Sequence, residues 1–312
     1  MNAAASDMMR RYGLILVLLL SVVILSFISD AFLTVNNLMN VLRQVSINGI
    51  LAVGMTLVIL TAGIDLSIGS LMAVSAVIAA SIVAGNPDAV FLALVAGIAA
   101  SGVLGGVTGT MSTKLNVAPF IATLAMMTIA RGIALIYTNG RPITIDSSAF
   151  RYLGQGYIGP VPVPVVIFAL VTAIVSFILY KTKFGRYIYA VGGNENAANV
   201  SGIRVHRVKI WVYIINGALS GLAGILLASR ISSGQPNSGL GYELDAIAAV
   251  VIGGTSLFGG RGTMLGTIVG VLIIGVINNG LNLLNVSSYW QQIIKGLIIA
   301  GAVILDQRAK RG

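Results

Sequence analysis

The chain has no cysteine and a single histidine, His206. Disulfides and thiolate chemistry are therefore excluded, and no His/Cys cluster can hold a metal. The one imidazole stands among basic residues, a poor start for a Ser/His/Asp catalytic set. A phosphate loop is missing too. The nearest approach to G-x-x-x-x-G-K-[ST] begins at Gly254, but Gly259 is followed by Gly260 and Arg261, with no lysine and hydroxyl after them. This chain is therefore not expected to hydrolyse nucleotide, and any ATP-driven work needs another polypeptide. Charge is also scarce, at 9% of 312 residues against roughly a quarter in a soluble domain. What remains is apolar: 57% of residues are hydrophobic and the mean hydropathy is +0.96. Water is not the main solvent of such a chain.

A spanning helix needs about 20 predominantly apolar residues. Apolar runs bounded by charge and turn residues predict an all-α polytopic membrane protein of about ten transmembrane helices. The expected spans lie near 13–29, 41–62, 67–84, 89–112, 117–137, 163–181, 208–229, 244–258, 263–284 and 289–305. One transmembrane domain is expected over 1–312, with a cytoplasmic loop at 182–207 inside it. Ser29 and Ala31 have the spacing of a signal-cleavage site, but a first span followed by many others is expected to stay as an anchor.

The net charge of +10 does not imply nucleic acid, because basic residues kept in cytoplasmic loops also raise the pI. With the N-terminus inside, Arg10, Arg11, Lys114, Lys181, Lys183, Arg186, Arg204, Arg207, Lys209, Arg261, Arg308, Lys310 and Arg311 fall on the cytoplasmic side. Arg141, Arg151 and Arg230 fall outside. Inverting the chain would reverse that bias, so both termini are expected in the cytoplasm.

Little hydrophobic force joins helices within lipid, so small residues must let them approach. Gly97, Ser101, Gly105 and Gly109 recur every fourth residue, as do Gly262, Gly266 and Gly270; Gly217 and Gly221 form a shorter pair. Packing within one subunit is the simpler expectation, and a dimer seam the other.

Among the nine acids, Asp65 alone lies in a tight junction between two long apolar runs. A carboxylate there needs water, a cation or helix-end donors. Ser67, Gly69 and Ser70 follow it with the composition of a helix N-terminus, so Asp65 is either a cap for the third span or a group acting in transport. Asn278, Asn282 and Asn285 are spaced i, i+4 and i+7 on one face of the ninth span, with Asn279 beside them. Together with Asn48, Gln44, Asn216, Tyr289 and Gln291, they could line a path for a hydroxyl-rich solute, which requires donors and acceptors. Interhelical hydrogen bonding is the competing role. Arg43, Arg131 and Lys295 also fall inside expected spans. Arg43 can snorkel, whereas the other two should face protein or a cavity.

In the loop from Lys181 to Lys209, Asn194 is a good N-cap, Glu195 suits the helix dipole, and Gly202 stops the helix after Ser201. That is a short helix at the membrane surface, serving either as a connector or as a docking element for a partner's groove.

Three long segments carry a resemblance: NLMNVLRQVSINGILAVGMTLVILTAGIDLSIGS (37–70), GRYIYAVGGNENAANVSGI (185–203) and GYELDAIAAVVIGGTSLFGGRGT (241–263). Through them, from about Phe32 to Leu305, the chain resembles the sugar-permease branch of ATP-binding-cassette importers, those of the ribose type in particular. The resemblance implies a homodimer in the bacterial inner membrane, a periplasmic sugar-binding protein that delivers substrate, and a cytoplasmic ATPase that drives alternating access. It implies no cofactor. It also places Gly193, Asn194, Glu195, Ala197, Ala198, Ser201 and Gly202 in the loop that enters the ATPase, with Asn199 standing where a basic or bulky residue is expected. Asn48, Asn216, Asn278, Asn282, Gln291 and Asp65 are the candidates for the substrate path. An ion-coupled transporter would share the composition, but Asp65 as the only deeply placed acid argues against it. Branched-chain amino acids are a further substrate class, although asparagine-rich lining suits a sugar better than a zwitterion.

Overall fold

The computed structural model describes residues 3–311, with side chains for residues 13–301 and Ile304. Arg10, Arg11, Arg308, Lys310 and Arg311, which entered the orientation argument, lie outside the described side chains. The fold is an all-α polytopic membrane protein. Its helices are α1 (Ala3–Ile28), α2 (Val35–Leu60), α3 (Ile68–Gly85), α4 (Val90–Thr113), α5 (Pro119–Thr138), α6 (Ser148–Gln155), α7 (Val163–Lys181), α8 (Lys183–Gly193), α9 (Glu195–Val200), α10 (Val205–Ile231), α11 (Tyr242–Ile252), α12 (Met264–Leu283) and α13 (Ser288–Arg311).

Seven of these, α2, α3, α4, α5, α7, α10 and α12, are long and apolar enough to cross a bilayer. Their ends have local causes. The Thr34 hydroxyl accepts from Asn37 N–H and starts α2 six residues before the expected boundary. Pro119 opens α5, where its fixed φ and missing N–H do no harm. Asn139 in the left-handed region closes the same helix.

From Val45 to Leu60 every residue of α2 is buried, so this helix is the axis of the molecule. It is wrapped by α7, α10, α11 and α12. The outer helices α4, α5 and α7 keep much of their apolar surface exposed, as lipid-facing helices do.

The expected span at 244–258 is corrected. The helix there is α11, with 11 residues and a rise of about 16 Å, half of a bilayer core. Gly239 and Gly241, both with positive φ, precede it in a run of turns, and Gly253 and Gly254 end it. Gly239 packs on Gly69, near the start of α3, so α11 begins level with that helix start.

The glycine rows pack within the chain. Gly105 and Gly109 of α4 lie against Tyr213, Gly217 and Ile210 of α10 so closely that added methyl groups would press on backbone, and Gly97 lies against Ser75 of α3. Gly266 and Gly270 meet Gly253 and Ala249 of α11 in the same way. These faces are occupied by their own subunit and cannot be a dimer seam.

At the end of the bundle away from α8, two small ladders form a cap. Strand β1 (Ile143–Thr144) pairs antiparallel with β4 (Ser233–Gly234), and β2 (Tyr157–Ile158) pairs with β3 (Val161–Pro162). Ser229 pins α6 to the end of α10. Its hydroxyl donates to the Phe150 carbonyl at 2.6 Å and accepts from Gly154 N–H at 2.7 Å.

Candidate functional site

The loop between α7 and α10 folds as two helices. Thr182 caps α8, its hydroxyl accepting from Gly185 N–H. Asn194 caps α9, its Oδ1 accepting from Ala197 N–H at 2.9 Å. Gly202 follows with φ +83°, which stops the helix and turns the chain toward α10. Ala198 is the buried face of α9, while Glu195, Ala197 and Ser201 are exposed. Glu195 pairs with Lys209 of α10 at 2.5 Å, an exposed bridge worth little by itself.

Three backbone segments lock where α8 ends. Gly192 faces the Leu60 carbonyl at the end of α2, and the same carbonyl accepts from Gly260 N–H at 3.0 Å. Gly259 lies against Ala62, and Gly260 against Gly193. Tyr189 Oη donates to the Gly262 carbonyl at 2.9 Å, and Tyr180 Oη accepts from Met264 N–H at 2.8 Å. Burial and the neighbouring Tyr180 phenol push the Tyr189 pKa up, so this donor stays protonated at neutral pH. The result is a junction in which α8, the axial helix α2 and the α11–α12 turn share hydrogen bonds. Displacement of α8 must be felt by α2 and α11.

After Leu60 the chain turns back toward the bundle interior and carries Asp65 level with Asn216 of α10. Asp65 is fully buried. Its Oδ1 accepts from Ser67 N–H at 2.9 Å and from Ser67 Oγ at 2.6 Å, and its Oδ2 accepts from Asn216 Nδ2 at 2.8 Å. The first two bonds anchor the start of α3, and the third ties that start to α10. Two of the path candidates, Asp65 and Asn216, thus touch each other.

The remaining candidates disperse. Asn278 Nδ2 donates to Asp245 Oδ2 at 3.3 Å, Asn279 exchanges hydrogen bonds with Asn37 of α2, and Asn282 Oδ1 accepts from Gln291 Nε2 at 2.9 Å. Each amide of α12 reaches a different helix, the pattern of interhelical hydrogen bonding. Asn285 is off the helix, since α12 ends at Leu283 and Asn285 adopts φ +53° in the following turn. Asn48 is buried in α2, and its Oδ1 accepts from no described residue; the same holds for Asn216 Oδ1.

Asp65 is not the only deep acid. Asp245, 6% exposed in the first turn of α11, holds Lys295 Nζ at 2.9 Å from both carboxylate oxygens. Arg131 of α5 donates through one Nη to the carbonyls of Pro236 and Ser238, at 2.5 and 2.9 Å, in the turns leading to α11. Lys295 and Arg131 therefore face protein, as expected. Arg43 also contacts protein: its Nη2 donates to the Gln155 carbonyl at 3.1 Å and its guanidinium lies 4.7 Å from the Tyr157 ring centre. The Asp245 site was hidden because an expected span of 244–258 put that acid at a boundary. Pro236, Gly239 and Gly241 ahead of a short apolar run were the available signal for a half-helix.

Among the described residues no three His, Asp or Glu side chains gather to hold a metal ion. What the arrangement offers is a buried, hydrogen-bonded bundle with a two-helix lever seated on its axial helix.

Residues 37–303 match a protein-family model described as "Branched-chain amino acid transport system / permease component". The chain is 51% identical over 302 residues to the ribose import permease protein of Bacillus subtilis, covering 96% of this chain and 94% of that protein. It is 50% identical over 298 residues to the ribose import permease protein of Escherichia coli K12, covering 94% and 92%. Identity is 38% over 299 residues, 95% and 91% of the two chains, to the D-allose transport system permease protein of Escherichia coli K12. No solved structure matches the chain.

Proposed function

The chain belongs to the family of branched-chain amino acid transport system permease components, and from that premise we propose that it is the membrane-spanning subunit of an ATP-driven ribose importer. The observation that carries the substrate is the step in identity, from 51% and 50% with ribose permeases to 38% with the D-allose permease over nearly the same length. The family description includes amino-acid permeases, but the sugar relatives cover the chain almost end to end.

In this reading the chain crosses the inner membrane ten times, with both termini in the cytoplasm. The seven long helices are joined by α1, α13 and the half-helix α11, whose crossing is completed by the turns of segment 235–241. The basic residues around α8, α9 and the start of α10 favour that end as cytoplasmic. Two copies form the permease, a periplasmic binding protein delivers ribose, and a cytoplasmic ATPase supplies the energy.

The α8–α9 pair is the coupling element, spanning residues 182–207. Gly193, Asn194, Glu195, Ala197, Ala198, Ser201 and Gly202 shape its tip. Closure of the ATPase on ATP would push α9, and the Gly192–Leu60–Gly260 junction would pass that motion to α2 and the α11–α12 turn. The path then opens alternately to either side. Asn48 and Asn216 are the candidates assigned to sugar hydroxyls, because each has a side-chain oxygen without a hydrogen-bond partner among the described residues; both are buried here, so the path must open to reach them. Asp65, Asn278, Asn282 and Gln291 would hold the surrounding helices.

Ribose-stimulated ATP hydrolysis tests this proposal. The chain is co-expressed and purified with its ATPase, then mixed with ribose-loaded binding protein. Stimulation by the ribose-loaded protein, and none by a leucine-loaded one, is expected. The absence of an associating ATPase would overturn the assignment.

A further inference from the structure

A groove runs down the outer face of the bundle between α4 and α10. Its volume is about 680 Å³, against the ~30 Å³ of a water molecule, so it accommodates a chain rather than a solvent molecule. Ile98, Gly102, Val103, Gly106, Ile214 and Ala218 line it. Gly102 and Gly106 of α4, which sit less tightly on α10 than Gly105 does, form its floor. Gly102, for example, would bring a methyl group only to ordinary contact with Ala218, at 3.6 Å. Thr110, a hydroxyl residue in that lining, donates back to the Gly106 carbonyl at 2.8 Å, so its hydroxyl asks nothing of an occupant. From Ile98 to Thr110 the helix rises about 18 Å, roughly one leaflet of the hydrocarbon core.

At the α8–α9 end the groove meets a second cavity of about 350 Å³, lined by Lys114, His206, Arg207, Ile210 and Trp211. Ile210 belongs to both linings, so the two adjoin. Lys114 and Arg207 are in no ion pair among the described residues, whereas neighbouring Lys209 is already bound to Glu195. Trp211 is 57% exposed beside them near the start of α10, an aromatic ring of the kind that favours lipid headgroups. An apolar slot of leaflet length that ends in unpaired cations and an indole has the chemistry of one ligand.

We propose that the α4–α10 groove binds an anionic phospholipid of the leaflet on the α8–α9 side, with an acyl chain in the slot and its phosphate held by Lys114 and Arg207. Its cytoplasmic placement rests on the orientation proposed above; the binding itself does not. The occupied groove would brace α10 next to the loop that enters the ATPase.

The test uses the full chain, purified alone in mild detergent and incubated with equal amounts of phosphatidylglycerol and phosphatidylethanolamine. Bound lipid is then counted by native mass spectrometry. Each cation near a headgroup contributes about fivefold, so the wild type should prefer phosphatidylglycerol on the order of 30-fold at low salt. Lys114→Gln/Arg207→Gln should bring the two lipids close to parity. Gly102→Leu, which fills the slot, should lower retention of both while leaving the preference. Equal retention by the wild type would overturn the proposal, as would a preference that survives the double substitution or retention unchanged by Gly102→Leu. The cysteine-free chain allows one more arm. Oxidative cross-linking of Val103→Cys between two copies in membranes would show the groove covered by protein and overturn the lipid assignment. None of these readouts needs sugar, ATPase or binding protein, so their failure is separate from failure of the transport proposal.

Discussion

Replacing Lys295 by Met should cost about 2–3 kcal/mol of stability, and the reason lies with its partner. Asp245 is 6% exposed at the start of a half-helix, and Lys295 Nζ sits 2.9 Å from both its oxygens. Removing the cation leaves a buried carboxylate with only the longer bond from Asn278. Breaking a buried pair from one side typically costs about 3–5 kcal/mol. Lys295 keeps 24% of its side chain exposed, so water softens the loss toward the lower figure. The companion change is Asp245→Asn/Lys295→Met, which removes the charge instead of stranding it. That double variant should lie within about 1 kcal/mol of wild type, giving a coupling energy of about 2 kcal/mol between two adjacent sites. Equilibrium unfolding of all four proteins in mixed detergent and dodecyl sulfate micelles, followed by circular dichroism, measures the cycle. Strict additivity, or a Lys295→Met cost below about 0.5 kcal/mol, would refute a buried pair holding α11 to α13.

Other perturbations separate the lever from the bundle. Gly192→Ala drives a methyl group into the Leu60 carbonyl. It should cut ribose uptake at least about tenfold while the ATPase still co-purifies, since a small misplacement in a coupled machine costs about that much. Asn194→Ala removes the α9 cap at about 1 kcal/mol and should weaken ATPase binding in a pull-down, whereas Asn194→Asp should bind normally. Ala197→Pro deletes the N–H that Asn194 accepts and should abolish co-purification without affecting membrane insertion. Asp65→Ala strands Ser67 and the Asn216 amide in a dry site. It should lower the thermal midpoint in detergent, reflecting about 2–3 kcal/mol, and Asp65→Asn should lower it less.

Much of this architecture could be read from the chain alone, for physical reasons that also explain the failures. Runs of twenty apolar residues with few charges have one stable fate in lipid, and α3, α4, α5, α7 and α12 begin within about two residues of where such runs predict. The α9 helix was legible because its cap, dipole partner and stop all lie within nine residues. The half-helix α11 was not, because an apolar window does not register that Gly239, Gly241, Gly253 and Gly254 break the helix at both ends. The amides of α12 were expected to share one face, but α12 ends before Asn285, and a helical period says nothing about partners elsewhere. Asn279 bonds to Asn37, 242 residues away. The lever junction is built from backbone groups of Leu60, Gly192 and Gly260, and no side-chain motif announces it.

The most direct test of the central claim is uptake of labelled ribose by sealed proteoliposomes. The chain is reconstituted with its ATPase, ATP is supplied at the ATPase face, and binding protein with ribose is supplied at the other. Ribose should accumulate only when all three proteins and ATP are present, and a protonophore should leave uptake unchanged. Accumulation by the chain alone, or uptake that collapses with the protonophore and ignores ATP, would contradict it.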